Sequence, residues 1–441
     1  MNKRIRTALF VIILAVTASA SAQPVISEKQ DIAIFALGYY GWNIPGQALG
    51  SIDGQIQKVF SDLGRFTILG VSQRLSSGGL EQFISAMRQS KQASFVMPEK
   101  IQFGEAFLTE AEFNRLVGAF IVVVPVVLEF NSFYDTKNLQ YQTNIKTNIT
   151  FIDVANNGAV LAIKTLSSSG SHKTNQYESV RSAIDSIPGQ LQYEIRSIPE
   201  FQINTRILSA SGSTIRLQLG ADMGLRKGDE YSIIQRATVE GFDDSREAGL
   251  VVIKDVGQEV STGQVLFSSI KLGKDTQLRE IPRMGSELDL YIHSIGSSTV
   301  SSVVPGLRAT ASRGFYAFRP YVAVQVPLGL MSSFLWGLIE IFPVNVILGG
   351  EYVVNMGRLS VAPNAGIGLS YFVITAGGSS TDTDFLSHIG FQASVRAAYL
   401  INRNLRAFVD IGYEGWLAVT DVLGNVGYEG TTVGAGVTFK L

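Results

Sequence analysis

The feature that most constrains this chain is a strict two-residue alternation of apolar and polar side chains, recurring six times between Gly314 and Leu441. Period 2 places successive side chains on opposite faces of a strand. In the first segment Tyr316, Phe318, Val322, Val324, Val326 and Leu328 share one face, and Arg319 and Gln325 take the other. Leu348, Tyr352 and Val354 then oppose Asn345, Glu351 and Asn355, and Leu359, Ile367 and Leu369 oppose Ser360, Asn364 and Ser370. Ile389, Phe391, Val395 and Tyr399 oppose Gln392, Ser394 and Arg396. Val409, Ile411 and Tyr413 oppose Arg406, Asp410 and Glu414, and Val433, Val437 and Phe439 oppose Thr432, Thr438 and Lys440. The segments run about 11–16 residues, as a tilted bilayer-spanning strand requires, whereas soluble strands average about 5–6. Aromatic residues sit near segment ends, in the manner of an interfacial girdle. The turns at 355–357 and 402–404 are tight, while the stretches near 329–341, 375–387 and 420–430 read as long loops. Residues 314–441 are therefore expected to form an antiparallel transmembrane β-barrel resembling the small outer-membrane barrels.

Six strands fall short of the eight usual for a single-chain barrel. Two weak candidates, Glu287 to His293 and Thr299 to Val304, would raise the count, giving six to eight strands. The other solution is a barrel shared among chains. Residues 291–313, rich in Ser, Gly, Thr and Val, read as a linker. The lumen of an eight-stranded barrel is filled by side chains. Arg319, Glu351, Arg396, Arg406, Asp410 and Glu414 are expected to pair there, which predicts a plugged anchor.

The chain opens with Lys3, Arg4 and Arg6, an apolar run from Leu9 to Val16, and Ala20, Ser21 and Ala22. This is the pattern of a secretory signal peptide over residues 1–22. The 441 residues contain no cysteine, which excludes disulfides, thiolate metal sites, cysteine nucleophiles and lipidation at cysteine. A formal net charge of −1 argues against nucleic-acid binding. The apolar stretch from Leu116 to Phe130 is short, β-branched and interrupted by Pro125, so it reads as buried strand and not as a membrane helix.

Between the signal and the barrel two further domains are expected. Residues 28–200 read as α/β. Strands are expected at 31–37, 66–71, 119–133, 142–154 and 159–166, with helices around Ile52 to Leu63 and Leu80 to Met87. Thr109 and Glu112 form a capping box ahead of another helix, and a last helix from Tyr177 to Arg196 bends near Pro188. The run Ile32 to Phe35, then Gly64 to Leu69 (GRFTIL) with Gln73 and Arg74, then Glu129-Phe130, then Ile149 to Val154 with Gly158, resembles the curli-secretion lipoprotein family and the related N-terminal domain of TolB. The resemblance implies that fold and a cell-envelope location. Two departures are the absent anchor cysteine and Val122 to Val126 (VVVPV) where the family turns on glycine.

Residues 201–290 read as a small all-β, SH3-like domain. Ile215 to Leu219, Gly224 to Ile233 (GLRKGDEYSI) and Gly249 to Val256 resemble the C-terminal domain of flagellar assembly protein T.

No catalytic constellation is evident, and neither a cofactor nor a metal is expected. The histidines His172, His293 and His388 lack ligand spacing, and His388 is expected at a surface or rim. Asp382 and Asp384 are too few for a calcium loop. Gly170 to Thr174 (GSHKT) mimics the end of a phosphate loop but lacks its glycines, and no strand-to-helix context is expected around it. The expectation is a non-enzymatic envelope protein held in outer-membrane lipid. Its partners would be other envelope proteins, such as flagellar or secretion components, with homo-oligomerisation left open. The alternative is an oligomeric transport or secretion pore.

Overall fold

The computed structural model describes residues 26–441 except 40–43, 76, 91–99, 104–105, 155, 157, 240–241, 297–300, 331, 335–338, 377–378 and 420–426. The signal segment lies outside the described residues. Among them, no helix is long and apolar enough to cross a membrane.

The N-terminal part is a mixed sheet covered by helices on both faces. Its strands are β1 (Gln30–Ala36), β2 (Phe66–Arg74), β3 (Ile121–Asp135), β4 (Gln140–Asp153) and β5 (Ala159–His172), in the order β2-β1-β3-β4-β5. β1 runs parallel to β2 and β3, and the β3–β4–β5 meander is antiparallel. Ile32, Ile34, Ile121 and Val123 pack toward α1 (Gly46–Asp62), α4 (Gln176–Asp185) and α5 (Ile187–Arg196). The intervening Ala33, Phe35, Val122 and Val124 pack toward α2 (Ser77–Ser90) and α3 (Glu110–Gly118). Burial on both faces explains why these strands read as continuous apolar runs rather than alternating ones. Both halves of the Thr109–Glu112 capping box form. The long C-terminal helix is two helices, broken at Ser186 with Pro188 in the first turn of α5, where its missing N–H costs little.

A closed six-stranded barrel follows: β6 (Asn204–Ser211), β7 (Thr214–Leu217), β8 (Glu230–Val239), β9 (Phe242–Val256), β10 (Ser261–Ser268) and β11 (Gln277–Ile281). Its core gathers Ile207, Ile215, Tyr231, Ile233, Val251, Ile253 and Leu278.

The C-terminal part closes eight strands within one chain: β12 (Ser286–Gly296), β13 (Ser301–Ala311), β14 (Phe318–Gln325), β15 (Ile339–Tyr352), β16 (Leu359–Ala376), β17 (Ser379–Asn402), β18 (Leu405–Ala418) and β19 (Tyr428–Lys440). Neighbours in sequence pair throughout, β12 pairs with β19, and β15 bridges β14 and β16.

Two expectations need correction. Residues 291–313 are not a linker, since they supply most of β12 and all of β13, and the small domain ends at Ile281. The reading failed because β13 carries Ser301, Ser302, Pro305 and Gly306, residues poor in β propensity. Gly306 sits opposite Tyr291, and a Cβ there would lie 2.3 Å from the Tyr291 ring. The glycine makes room for the neighbouring aromatic. The second correction concerns 375–387. Its described residues, 375–376 and 379–387, continue the β16–β17 hairpin, with Ala376 paired to Ser379. Its Ser and Thr content, beyond the apolar belt, disguised strand as loop.

Candidate functional site: a charged column from the α/β domain into the barrel

Alternation sorts the barrel's side chains. Phe318, Leu348, Ile367, Tyr399, Val409, Ile411 and Val433 are exposed on the outer wall. On β17 the exposed stripe runs from Ile389 to Ile401. Those twelve steps (401 − 389), at about 3.3 Å each and tilted about 40°, span roughly 30 Å, enough for the ~25 Å apolar band of an outer-membrane barrel. Phe318, Tyr352 and Tyr399 ring one end of this wall, while Phe391 and Tyr413 stand toward the other with rings 6.2 Å apart.

Inside, the structure places all six residues singled out from the sequence: Arg319, Glu351, Arg396, Arg406 and Glu414 are buried and Asp410 is nearly so. Most of their partners come from β12 and β13, the strands the sequence underrated. Glu287 accepts from Arg319 at 2.9 Å and from Arg406 at 2.8 Å. Arg319 also meets Glu351 at 2.5 Å, and Arg308 pairs with Glu351. Asp289 takes Arg396 at 2.5 Å and Arg308 at 3.8 Å, and Arg396 lies 3.7 Å from Asp410. Arg308 and Arg396 stack over Tyr321 and Phe408. Four arginines thus face four carboxylates (Glu287, Asp289, Glu351, Asp410) in one connected ladder.

Above the ladder the Glu414 carboxylate lies 3.5 Å from His293 Nε2 and accepts from Gln325 at 3.2 Å. Higher still, Ile295, Val304, Ile347, Trp416 and Tyr428 form an apolar cluster inside the barrel. His388, expected at a rim, is buried in the lumen against Tyr428, with ring centroids 5.4 Å apart. Its strand begins ten residues earlier than the apolar pattern does, which moves the histidine from strand end to strand interior.

The column continues below the barrel. Lys440 pairs with Glu230 of the small domain, which also takes Arg283 at 3.1 Å. Arg283 Nη1 donates to Lys440 O and Asn404 Oδ1, both at 2.9 Å. The cavity between the small domain and the barrel base measures about 30 Å³, room for about one water. Leu250, Leu266 and Ile281 seal this contact against Leu400.

The α/β domain joins at a second buried cluster. Glu280 accepts from Arg65 at 2.7 and 3.1 Å, from Arg196 Nε at 2.6 Å and from Ile203 N at 3.1 Å. Asp229 receives Arg196 at 3.2 Å and Arg313, in the turn between β13 and β14, at 2.8 Å. Burial raises the Glu280 carboxyl, but Arg65 and Arg196 beside it prevail and hold it down to about 2. The two glycine-bearing motifs read from sequence meet here. Gly224 has φ +75°, and a Cβ would lie 1.9 Å from Leu63 O in the α/β domain. Gly228 has φ +81°, and a Cβ would lie 2.1 Å from Ser312 O. Both positions need the left-handed backbone and the close approach that only glycine permits.

Other candidates resolve locally. A strand-to-helix junction, not expected at 170–174, is present: β5 ends at His172 and α4 begins at Gln176. Its N–H groups are already taken, since His172 Nδ1 accepts from Thr174 and Asn175, and the Asn175 side chain accepts from Tyr177 and Glu178. Among the described residues no three His, Cys, Asp or Glu are grouped to hold a metal. The side chains of Asp382 and Asp384 lie outside those described. A cleft of about 570 Å³ opens between α1, α4 and the end of β3, lined by Gln47, Phe130, Tyr177, Arg181 and Asp185.

No protein-family model matches the sequence, and no curated protein matches it. Among solved structures, Neisserial surface protein A is similar at 16% identity, covering 35% of this chain and 96% of that one, with a TM-score of 0.28. The attachment invasion locus protein Ail of Yersinia pestis is similar at 11% identity, covering 35% and 96%, with a TM-score of 0.24. Lipoprotein GNA1162 from Neisseria meningitidis is similar at 11% identity, covering 37% and 97%, with a TM-score of 0.22. Likenesses of this size leave the geometry of the chain itself as the ground for a functional reading.

Proposed function

We propose that this chain is an outer-membrane envelope protein whose barrel is a plugged anchor and whose two preceding domains stand in the periplasm as a protein-interaction module. The observation that carries the reading is the lumen. A connected Arg–carboxylate ladder occupies its lower part, the Glu414–His293–Gln325 group and an apolar cluster with buried His388 occupy its upper part, and the outer wall is apolar. A charged ladder of this kind is costly to bury, so its gain is in fixing strand register more than in net stability. The alternative of a pore would need water through the lumen, or a barrel shared among chains, and closure of eight strands within one chain removes the need for sharing. The cleft beside Tyr177, with exposed aromatic and paired polar groups, suits a protein partner, and the resemblances to secretion and flagellar assembly proteins suggest where to look for one. The test is photo-crosslinking in whole cells with a crosslinking residue at Tyr177, in the full chain. Recovery of a discrete envelope protein is expected, and absence of any adduct there and at Gln47 would count against an interaction module.

A further inference from the structure

We propose that the periplasmic-side rim carries a phospholipid site, in the cleft between the small β-domain and the turn at 402–404. The inference rests on the membrane reading above. The cleft holds about 380 Å³ and is lined by Phe267, Arg358, Ile401 and Arg403, among others. Ile401 is the lower end of the exposed stripe on β17, continuous with Tyr399 and its strand partner Leu359, so one wall of the cleft is the lipid-facing wall itself.

Its charge is unbalanced. Arg403 pairs with Glu247, and Arg279 reaches the same carboxylate at 3.9 Å. Arg358 has no carboxylate partner among the described residues. In the cleft's own lining two guanidinia, Arg358 and Arg403, stand against one carboxylate, Glu247, a local charge of 2 − 1 = +1. The Arg358 guanidinium is also held in place: its Cζ lies 3.8 Å from the centre of the Phe267 ring, and Nη1 donates to Leu400 O at 2.9 Å and Ile401 O at 3.1 Å. Its Nε and Nη2 take no partner among the described residues. A fixed fork with free donors suits the oxygens of a phosphate diester. The acyl chains would then lie along Ile401, Tyr399 and Val395. The net positive charge favours a headgroup with net negative charge over a zwitterion.

The test is native mass spectrometry of the full chain in mild detergent, titrated with phosphatidylglycerol or phosphatidylcholine. One phosphatidylglycerol should bind in clear preference to phosphatidylcholine. Near a membrane surface each guanidinium contributes about fivefold. Arg358→Gln with Arg403→Gln should therefore weaken phosphatidylglycerol by roughly 25-fold and leave phosphatidylcholine unchanged. Should that variant fail to fold, Arg358→Lys keeps the charge but loses the fork and the stack, and should weaken binding severalfold. Equal binding of the two lipids by the parent chain, or unchanged preference in a variant that keeps its heat-modifiable band on gels, overturns the site alone. A parent chain with no heat-modifiable band overturns the membrane reading, and this site with it.

Discussion

Replacing Glu280 with glutamine should uncouple the α/β domain from the rest of the molecule. The carboxylate accepts four hydrogen bonds, three of them from Arg65 and Arg196, at a point where all three side chains are buried. Removing one partner of a buried ion pair leaves the other charge uncompensated and costs about 3–5 kcal/mol. The same group sets a pH dependence. Its pKa is depressed from an ordinary 4.5 to about 2. A depressed carboxyl contributes stability that is fully present above pH 4.5 and is lost as the pH falls through about 2. A shift of that size amounts to about 3 kcal/mol. The assay is urea unfolding of the full chain in detergent, followed by far-UV circular dichroism, at pH 7, 4 and 3. The parent chain should lose stability between pH 4.5 and 2, and Glu280→Gln should be weaker at pH 7 and lack that part of the slope. Unfolding of Glu280→Gln within 0.5 kcal/mol of the parent, with the acid slope intact, would refute the reasoning.

Val409→Arg and Ile411→Arg place charge on the exposed wall and should each cost roughly 2–4 kcal/mol if near mid-bilayer, read as a fall in the folded band on unheated gels. Glu287→Gln leaves Arg406 without a carboxylate among the described residues and takes one of two from Arg319, and should cost about 3–5 kcal/mol in the same assay. Gly224→Ala forces a Cβ to 1.9 Å from Leu63 O at φ +75°, and should raise protease sensitivity between the α/β and small domains without affecting the barrel band. Planar bilayers containing the purified chain should show no stable unitary current, and reproducible steps would favour the pore.

Much of this architecture was legible because lipid imposes a one-residue-in-two rule. From Tyr316 to Leu441 the outer face must be apolar, so the lumen residues Arg319, Glu351, Arg396, Arg406, Asp410 and Glu414 could be named from alternation alone. Where the rule is diluted, the reading failed. Glu287 and Asp289 lie on a strand that reads only as a short, weak candidate, and Arg308, which completes the ladder with them, lies on one whose Gly306, Pro305 and serines imitate a linker. The domain junction was hidden for another reason: Arg65 and Glu280 stand 215 residues apart, and neither looks unlike an ordinary surface charge. The available signal was the pair of glycine motifs around Gly64 and Gly224–Gly228, which marked close backbone approach without saying to what.

The sequence contains no cysteine, so any cysteine introduced is unique, and topology can be read directly. With the preceding domains on the periplasmic side, the β16–β17 tip must face outward and the 402–404 turn inward, because β17 crosses once between them. In intact cells, an impermeant thiol reagent should label Ser380→Cys and should label Asn402→Cys only after the outer membrane is permeabilised. Labelling of Asn402→Cys in intact cells with Ser380→Cys protected, or equal labelling of both, would contradict a membrane-spanning barrel anchored in this orientation.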